Sequence, residues 1–236
     1  APTFRVFTDA ETGQCIIAGM GELHLDVIRL KLEEQHGLAT KAGSPAIAYR
    51  ETVRAEAKAD YLLKKQVGGS GMYARVILGI GPGAAGSGVV IENRVTGGRI
   101  PSEFLSAVER GIRDAAKAGV LAGYPVADIR VAILDGAAHA KDSNEMAFRI
   151  AAEESFRQAM RDASPVLLEP IMHIECTVPA DHQGDLLGDL NRRRGKILAM
   201  GEKLGAATIS AEVPLAEMFG YSNAIRSLSH GRAEYT

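Results

Sequence analysis

The chain has 236 residues, of which 46% are hydrophobic and 24% are charged, and its formal net charge at pH 7 is −2. This composition is typical of a folded protein with room for one to three domains, and it excludes a disordered or low-complexity chain. The nearly balanced charge excludes a globally basic nucleic-acid-binding protein, so any contact with RNA must come from local groups of cations.

The first 45 residues predict part of a larger motif. The turn pair Thr12-Gly13 between two strand-like runs is typical of a hairpin, and Gly37 is a helix-stop signal. Two strands, a helix and a short last strand are predicted at residues 4–9, 15–18, 21–36 and 38–41. This order resembles a βαββαβ motif without its first strand and helix, so we expect a fragment of a longer chain.

The next region, residues 46–168, predicts strands with a long helix among them. Apolar runs predict strands at residues 47–53, 61–66, 73–80 and 89–95. Pro101 occupies the favoured first position of a helix that we expect to end at Gly119.

A glycine-rich loop joins the second and third of these strands. It consists of Gly68, Gly69, Ser70 and Gly71, and its flanking cations are Lys64, Lys65 and Arg75. One interpretation is a flexible hairpin tip. The other is a backbone that can approach RNA closely, with cations placed for phosphate.

Residues 81–86 match the pattern G-x-G-x-x-G after a predicted strand, as in dinucleotide-binding oxidoreductases. An extended apolar run follows at residues 87–91, instead of a helix whose N-terminus could hold a pyrophosphate. We therefore predict a loop and keep the oxidoreductase as a remote alternative. The sequence also contains no G-x-x-x-x-G-K-[ST] motif for a nucleoside triphosphate.

Residues 131–134 predict a buried strand that ends at the turn pair Asp135-Gly136. Asp142 and Glu145 form the pattern of a capping box, which predicts a helix from about residue 142 to residue 163. This strand and this helix leave a short loop between them.

The loop carries His139 and Lys141, which we expect to be exposed. A metal site is disfavoured because no second His, Cys or Glu lies at ligand spacing. General-base catalysis is disfavoured because nothing indicates an enclosed pocket. We therefore predict a contact residue at a loop tip, and neither a catalytic nor a metal site.

Residues 169–236 predict the order βαββαβ of the ferredoxin-like split βαβ motif. The elements are expected at residues 171–178, 182–194, 196–203, 208–213, 215–230 and from 233 onward.

The densest basic run of the chain follows the first helix of this region and includes Arg192, Arg193, Arg194 and Lys196. Cations in a last helical turn complement the helix dipole, which accounts for one or two of them. The alternative is contact with phosphate, and both interpretations stay open.

Cys15 and Cys176 each fall in a strand-like run, so we predict buried thiols in a reducing compartment. No run of about 18 apolar residues and no signal-peptide pattern is present. We predict a cytoplasmic protein without membrane contact.

Short sequence motifs along nearly the whole chain resemble those of bacterial elongation factor G, the translational GTPase that moves tRNA and mRNA through the ribosome. The motifs occur in the family's order, which makes the match more specific than any single motif above. They include A-G-M-G-E-L-H-L-D from Ala18, K-K-Q-V-G-G-S-G from Lys64, D-S-N-E-M-A-F from Asp142, G-D-L-N-R-R-R-G from Gly188 and P-L-A-E-M-F-G-Y from Pro214.

The resemblance implies an α+β fold in which ferredoxin-like split βαβ domains flank a ribosomal protein S5 domain 2-like domain. Domain III would be residues 1–45, domain IV residues 46–168 and domain V residues 169–236. The family's GTPase domain, with GTP and Mg, would precede residue 1, so we expect neither a cofactor nor enzyme activity in this chain.

The resemblance also implies partners: the ribosome with its rRNA and proteins, tRNA and mRNA, contacted by a monomer. The tip of domain IV, from loops 67–73 and 135–142, would contact tRNA and mRNA in the decoding region. The expected contacts there are Gly68, Gly69, Ser70, Gly71, Met72, His139 and Lys141. In domain V they are Arg192, Arg193, Arg194 and Lys196.

The chain departs from the family at the tip. The common first loop is G-G-R-G-Q-Y-G, whereas this chain has Ser70, Met72 and Ala74 at the varying positions. Ala138 stands where an aromatic residue usually precedes the histidine, and Lys141 replaces an apolar or small residue. A paralogue specialised for ribosome recycling or ribosome protection therefore stays an alternative, as does a purely structural interaction module.

Overall fold

The computed structural model describes residues 4–19, 21–67, 70–203 and 205–236. It divides into two compact units, one formed by Tyr49–Leu168 and the other by Ala1–Ala48 together with Glu169–Thr236. Helices and strands are mixed in both units, which confirms the predicted α+β class.

The N-terminal segment forms a hairpin and a helix, as predicted. Strands β1 (Arg5–Thr8) and β2 (Cys15–Ala18) pair antiparallel, and helix α1 (Glu22–His36) ends at Gly37, whose φ of 64° suits glycine. The prediction of a strand at residues 38–41 is wrong. These residues pair with no described strand, and a strand needs a partner for its backbone groups.

The two cysteines differ in burial. Cys176 is buried as predicted, but Cys15 is exposed, so the prediction for Cys15 is wrong. Cys15 lies at the start of β2, and the neighbouring strand β1 is exposed along its whole length. A two-stranded hairpin buries little surface by itself, which explains the exposure.

The unit Tyr49–Leu168 has a four-stranded sheet, a separate two-stranded sheet and two helices. Its strands are β3 (Arg50–Val53), β4 (Ala57–Val67), β5 (Ser70–Pro82), β6 (Val89–Asn93), β7 (Ile129–Ala137) and β8 (Pro165–Leu168). Its helices are α2 (Ser102–Ala115) and α3 (Glu145–Asp162). The large sheet has the order β4-β5-β7-β6 with β6 and β7 parallel, and β3 pairs with β8.

Helices α2 and α3 bury their apolar faces in the core of this unit. Val108 and Ile112 of α2 and Phe148 and Phe156 of α3 are almost wholly buried. The two helices approach closely at Gly111, where a Cβ atom would lie 2.4 Å from the carbonyl oxygen of Arg149. The apolar spacing of α2 indicates the face that forms the core, whereas in α3 the apolar Met146 is 56% exposed and the buried face includes Phe148 and Phe156 instead.

Several predicted boundaries in this unit are wrong, among them the end of β7, both ends of α2 and the start of α3. Strand β7 continues through Asp135 and Gly136 because both residues pair with β5. Helix α2 starts after Pro101, which is its N-cap, and ends at Ala115, before Gly119. Helix α3 starts at Glu145 because the cap is Asn144, whose Oδ1 accepts the N–H of Ala147 at 2.8 Å, and not Asp142.

The C-terminal part has the predicted βαββαβ order. Its elements are β9 (Ile171–Pro179), α4 (Gln183–Arg192), β10 (Lys196–Lys203), β11 (Ala206–Pro214), α5 (Tyr221–Leu228) and β12 (Glu234–Tyr235). The antiparallel sheet has the order β10-β11-β9-β12, as in ferredoxin-like domains. Its core contains Leu186 and Leu190 of α4 and Tyr221 and Ile225 of α5.

Candidate nucleic-acid interface

The start of β5 meets a loop that is distant in sequence. The loop expected at residues 67–73 is strand at Val67 and at residues 70–73. The N–H of Tyr73 donates to the carbonyl oxygen of Asp142 at 2.8 Å. The Ser143 hydroxyl donates to the carbonyl oxygen of Tyr73 at 2.7 Å and accepts the N–H of His139 at 2.8 Å. These bonds join residues 70–73 to residues 138–143, and we call the two segments together the tip.

His139 lies on the surface of the tip with 54% of its side chain exposed. Its Nδ1 is 3.0 Å from Oδ2 of Asp142, and its ring centroid is 5.9 Å from that of Tyr73. Asp142 therefore holds the histidine rather than capping helix α3. The prediction of an exposed loop histidine is confirmed.

The glycine-rich loop is only partly described. Gly68 and Gly69 lie outside the described residues, and the backbone of Ser70 pairs with Val67 at the end of the hairpin. At Gly71 a Cβ atom would lie 2.4 Å from Cγ of Asp142. The structure thus gives Gly71 a packing reason that the sequence did not indicate, namely room for the Asp142 carboxylate.

Lys141 and Met72 belong to the tip, and two further lysines lie next to it on β4. Lys64 and Lys65 are exposed on β4, opposite Tyr73 and Met72 of β5, and Lys141 is exposed in the second loop. Met72 is half-buried. Lys141 is two residues from His139 in the chain, and Lys64 pairs with Tyr73, whose ring centroid lies 5.9 Å from that of His139.

Arg75, which the sequence grouped with these cations, has an intramolecular partner. Its guanidinium bonds both carboxylate oxygens of Asp60, and this hydrogen bond holds the pKa of Asp60 below its ordinary value. Asp135 likewise accepts a bond from Arg99 at 2.8 Å and does not form a turn. Arg75 is therefore less available for phosphate than the lysines are.

The basic run after α4 divides into two kinds of residue. Arg193 bonds Asp189 at 2.8 Å and the carbonyl oxygen of Glu217, and its guanidinium lies 4.9 Å from the ring centroid of Tyr221. Arg194 bonds both carboxylate oxygens of Glu169, at 2.7 and 3.0 Å. These two arginines hold parts of the domain together.

Arg192 and Lys196 face the solvent instead. The Arg192 side chain is 77% exposed and lies 3.4 Å from Asp189, and Lys196 is exposed at the start of β10. The sequence could not separate the two kinds of cation, because the partners Glu169 and Glu217 lie more than 20 residues away along the chain.

Gly81 and Pro82 belong to β5, and residues 83–88 join β5 to β6, so no helix follows and the prediction of a loop is confirmed for residues 83–86. A Cβ atom at Gly83 would lie 2.9 Å from the backbone of Asp128. The glycine thus serves backbone packing, and the oxidoreductase alternative has no support.

Within the described ranges, no group of three or more His, Cys, Asp or Glu side chains is placed to hold a metal ion. No helix among the described residues has both the length and the apolar character needed to cross a membrane.

Comparison with known proteins gives matches along the whole chain. The family model of elongation factor G domain III matches residues 1–44, that of domain IV residues 45–164, and that of the elongation factor G C-terminus residues 166–236. A crystal structure of a protein from Thermus thermophilus is similar with 40% sequence identity and a TM-score of 0.84. The match covers 99% of this chain and 35% of that protein, so the chain spans about a third of its length.

Proposed function

Because the chain belongs to the elongation factor G family, we propose that it is the C-terminal part of a translational GTPase that promotes the GTP-dependent movement of tRNA and mRNA on the ribosome. Family membership places the chain in protein biosynthesis and gives it a ribosome-related function. The role in translocation and the individual RNA contacts are our proposal.

We propose three domains with boundaries near residues 45 and 168. Residues 1–45 correspond to domain III, residues 46–168 to domain IV and residues 169–236 to domain V. The ranges of the three family models support these boundaries to within a few residues. The βαββαβ order of residues 169–236 supports the assignment of domain V as ferredoxin-like.

The tip is the observation that carries the proposal. Hydrogen bonds from Tyr73 and Ser143 join its two segments, which carry the half-exposed His139 and the exposed Lys141, and Lys64 and Lys65 are exposed opposite Tyr73 and Met72. Such a surface suits an RNA backbone, since lysines attract phosphate and no pocket is needed to read a base. We propose that Gly68, Gly69, Ser70, Gly71 and Met72 form the first contact segment, and His139 and Lys141 the second.

The basic run supplies a second contact, to rRNA or proteins of the large subunit. Its exposed cations Arg192 and Lys196 are the stronger candidates, because both face solvent. Arg193 and Arg194 contribute mainly by holding the helix end in place through Asp189 and Glu169. Phosphate contact and internal pairing, the two interpretations of this run, thus apply to different residues.

GTP and Mg would be bound outside these 236 residues. The residues present do not fit a nucleoside triphosphate, because the sequence contains no phosphate-binding loop of the G-x-x-x-x-G-K-[ST] type. We propose that GTP turnover occurs in the family's GTPase domain and that this chain converts it into movement at the tip.

The test uses a full-length protein in which this chain is joined to a GTPase domain of the family. Movement of peptidyl-tRNA is followed by its reactivity with puromycin, and GTP turnover is measured in parallel on the same ribosomes. We expect rapid movement coupled to turnover. The 236-residue chain alone serves as the control and should hydrolyse no GTP, and turnover by that chain would contradict the domain assignment.

A paralogue for ribosome recycling or protection is the second candidate. Met72 and Ala138 favour it, since they remove the polar side chain and the aromatic ring that the family usually has at these positions of the tip. This candidate predicts GTP turnover without tRNA movement in the same assay.

A further inference from the structure

We propose that Asp142 is a positioning residue that fixes the orientation and the tautomer of His139. The ring then offers its Nε2 atom to the RNA as a hydrogen-bond acceptor. This inference rests on the proposed function of the tip and specifies how its histidine acts.

The tautomer follows from the contact between the two side chains. His139 Nδ1 lies 3.0 Å from Oδ2 of Asp142. At this distance a carboxylate oxygen favours the form of the ring with a proton on Nδ1, since an unprotonated Nδ1 would face that oxygen with a lone pair. In a neutral imidazole the other nitrogen is then unprotonated, and Nε2 is an acceptor.

The local backbone holds Asp142 where it can make this contact. Its carbonyl oxygen accepts the N–H of Tyr73 at 2.8 Å, so Asp142 is fixed to strand β5. The absence of a side chain at Gly71 leaves the space that the carboxylate fills, because a Cβ there would lie 2.4 Å from Asp142 Cγ. Gly71 has no positive φ, so the space and not the backbone conformation requires glycine.

Two further contacts limit the motion of the histidine itself. The His139 N–H donates to the Ser143 hydroxyl at 2.8 Å, and the ring packs near that of Tyr73. The side chain nevertheless stays 54% exposed. A pair this exposed adds little to the free energy of unfolding. We therefore expect the pair to affect the orientation of the His139 ring at the surface.

An acceptor at this place suits a particular class of partner. Phosphate oxygens only accept hydrogen bonds, whereas the ribose 2′-hydroxyl and the amino groups of bases donate them. The exposed lysines of the tip supply the donors for phosphate. His139 therefore adds a hydrogen-bond acceptor to a surface on which the lysines are donors.

The first part of the test is nitrogen NMR of the His139 ring in the 15N-labelled 236-residue chain. We expect the Nδ1-protonated form in the wild type and in Asp142→Asn, whose Oδ1 can still accept, and the other tautomer or a mixture in Asp142→Ala and Gly71→Ala. Glu145→Ala, which removes a negative charge from the start of α3, is the matched control and should leave the spectrum unchanged. An unchanged tautomer in Asp142→Ala would overturn the inference.

The second part measures tRNA movement and GTP turnover with the full-length protein. We expect His139→Ala to slow movement about tenfold and Asp142→Ala at least about threefold, which is the range of one hydrogen bond. The double variant should be no slower than His139→Ala, because Asp142 acts through His139. Independent, multiplying effects would overturn the positioning role.

The two parts separate this inference from the proposed function. If His139→Ala leaves movement unchanged, the proposed role of the tip fails and the inference fails with it, even where the NMR shows the expected tautomer. If His139→Ala slows movement but Asp142→Ala does not, the proposed function stands and only the inference is overturned.

Discussion

Glu51 of β3 is a carboxylate buried completely in the unit Tyr49–Leu168. Its Oε1 accepts the N–H groups of Ala122, Gly123 and Tyr124, and its Oε2 accepts that of Leu121, all between 2.8 and 3.2 Å. Burial alone would raise the pKa of this carboxyl group, but the backbone donors outweigh it, and the pKa is lowered from its ordinary value of 4.5. The side chain of Glu51 therefore fixes the loop at residues 121–124 through four backbone hydrogen bonds.

We predict that Glu51→Gln lowers the free energy of unfolding by about 2–3 kcal/mol, since an amide cannot accept at both positions and leaves a buried N–H unpaired. Chemical denaturation measures the change. The control is Glu56→Gln, at a side chain that is 81% exposed, for which we expect a change within about 0.5 kcal/mol. Equal losses in the two variants would contradict the role of Glu51.

The same group predicts a pH dependence. Because the pKa of Glu51 is lower in the folded state, the unfolded chain binds more protons as the pH falls below 4.5. The stabilisation by Glu51 is therefore complete above pH 4.5 and is lost as the pH falls through the folded-state value. The stability difference between the wild type and Glu51→Gln should shrink over this range and stay constant near neutral pH.

None of these contacts could be predicted from the sequence. The partners of Glu51 lie 70 or more residues away along the chain, and so does Ser143 from Tyr73. Local patterns indicate which residues lie in loops, as they did for His139 and Lys141, but not which distant loops meet. The space that Gly71 leaves for Asp142 could not be predicted either, because it also depends on which distant segments meet.

The helices and strands were mostly predictable, since their apolar periodicity is strong. The core face of α2 and the βαββαβ order of residues 169–236 follow directly from it, whereas the apolar Met146 of α3 is 56% exposed. The boundaries were less predictable where two side chains compete for one role. Asp142 and Asn144 both suit an N-cap by residue type, and only the fold shows that Asp142 is engaged by His139.

We predict that the cap of α3 can be assigned by substitution. Asn144→Ala removes the acceptor of the Ala147 N–H and should lower the free energy of unfolding by about 1 kcal/mol. Asp142→Ala removes a pair whose side chains are 54% and 40% exposed, so we expect less than about 0.5 kcal/mol. A larger loss for Asp142→Ala than for Asn144→Ala in thermal or chemical denaturation would reverse this assignment.

At the scale of the whole molecule, the chain combines a tip on one unit with a basic run on the other. We propose that both act by contact, through exposed lysines, a half-exposed histidine and an exposed arginine. In this proposal the energy of GTP turnover would be supplied elsewhere in the full-length protein. We propose that the tip meets RNA in the decoding region.

The most direct test places a photo-crosslinking amino acid, p-benzoylphenylalanine, at Ala138 in the full-length protein bound to ribosomes with GTP. Ala138 is exposed beside His139, and the control position is Leu121, which is 50% exposed in the loop around Glu51. We predict crosslinks from position 138 to tRNA or mRNA and none to these RNAs from position 121. Crosslinks from position 138 to protein alone, or the same RNA crosslinks from both positions, would contradict the claim.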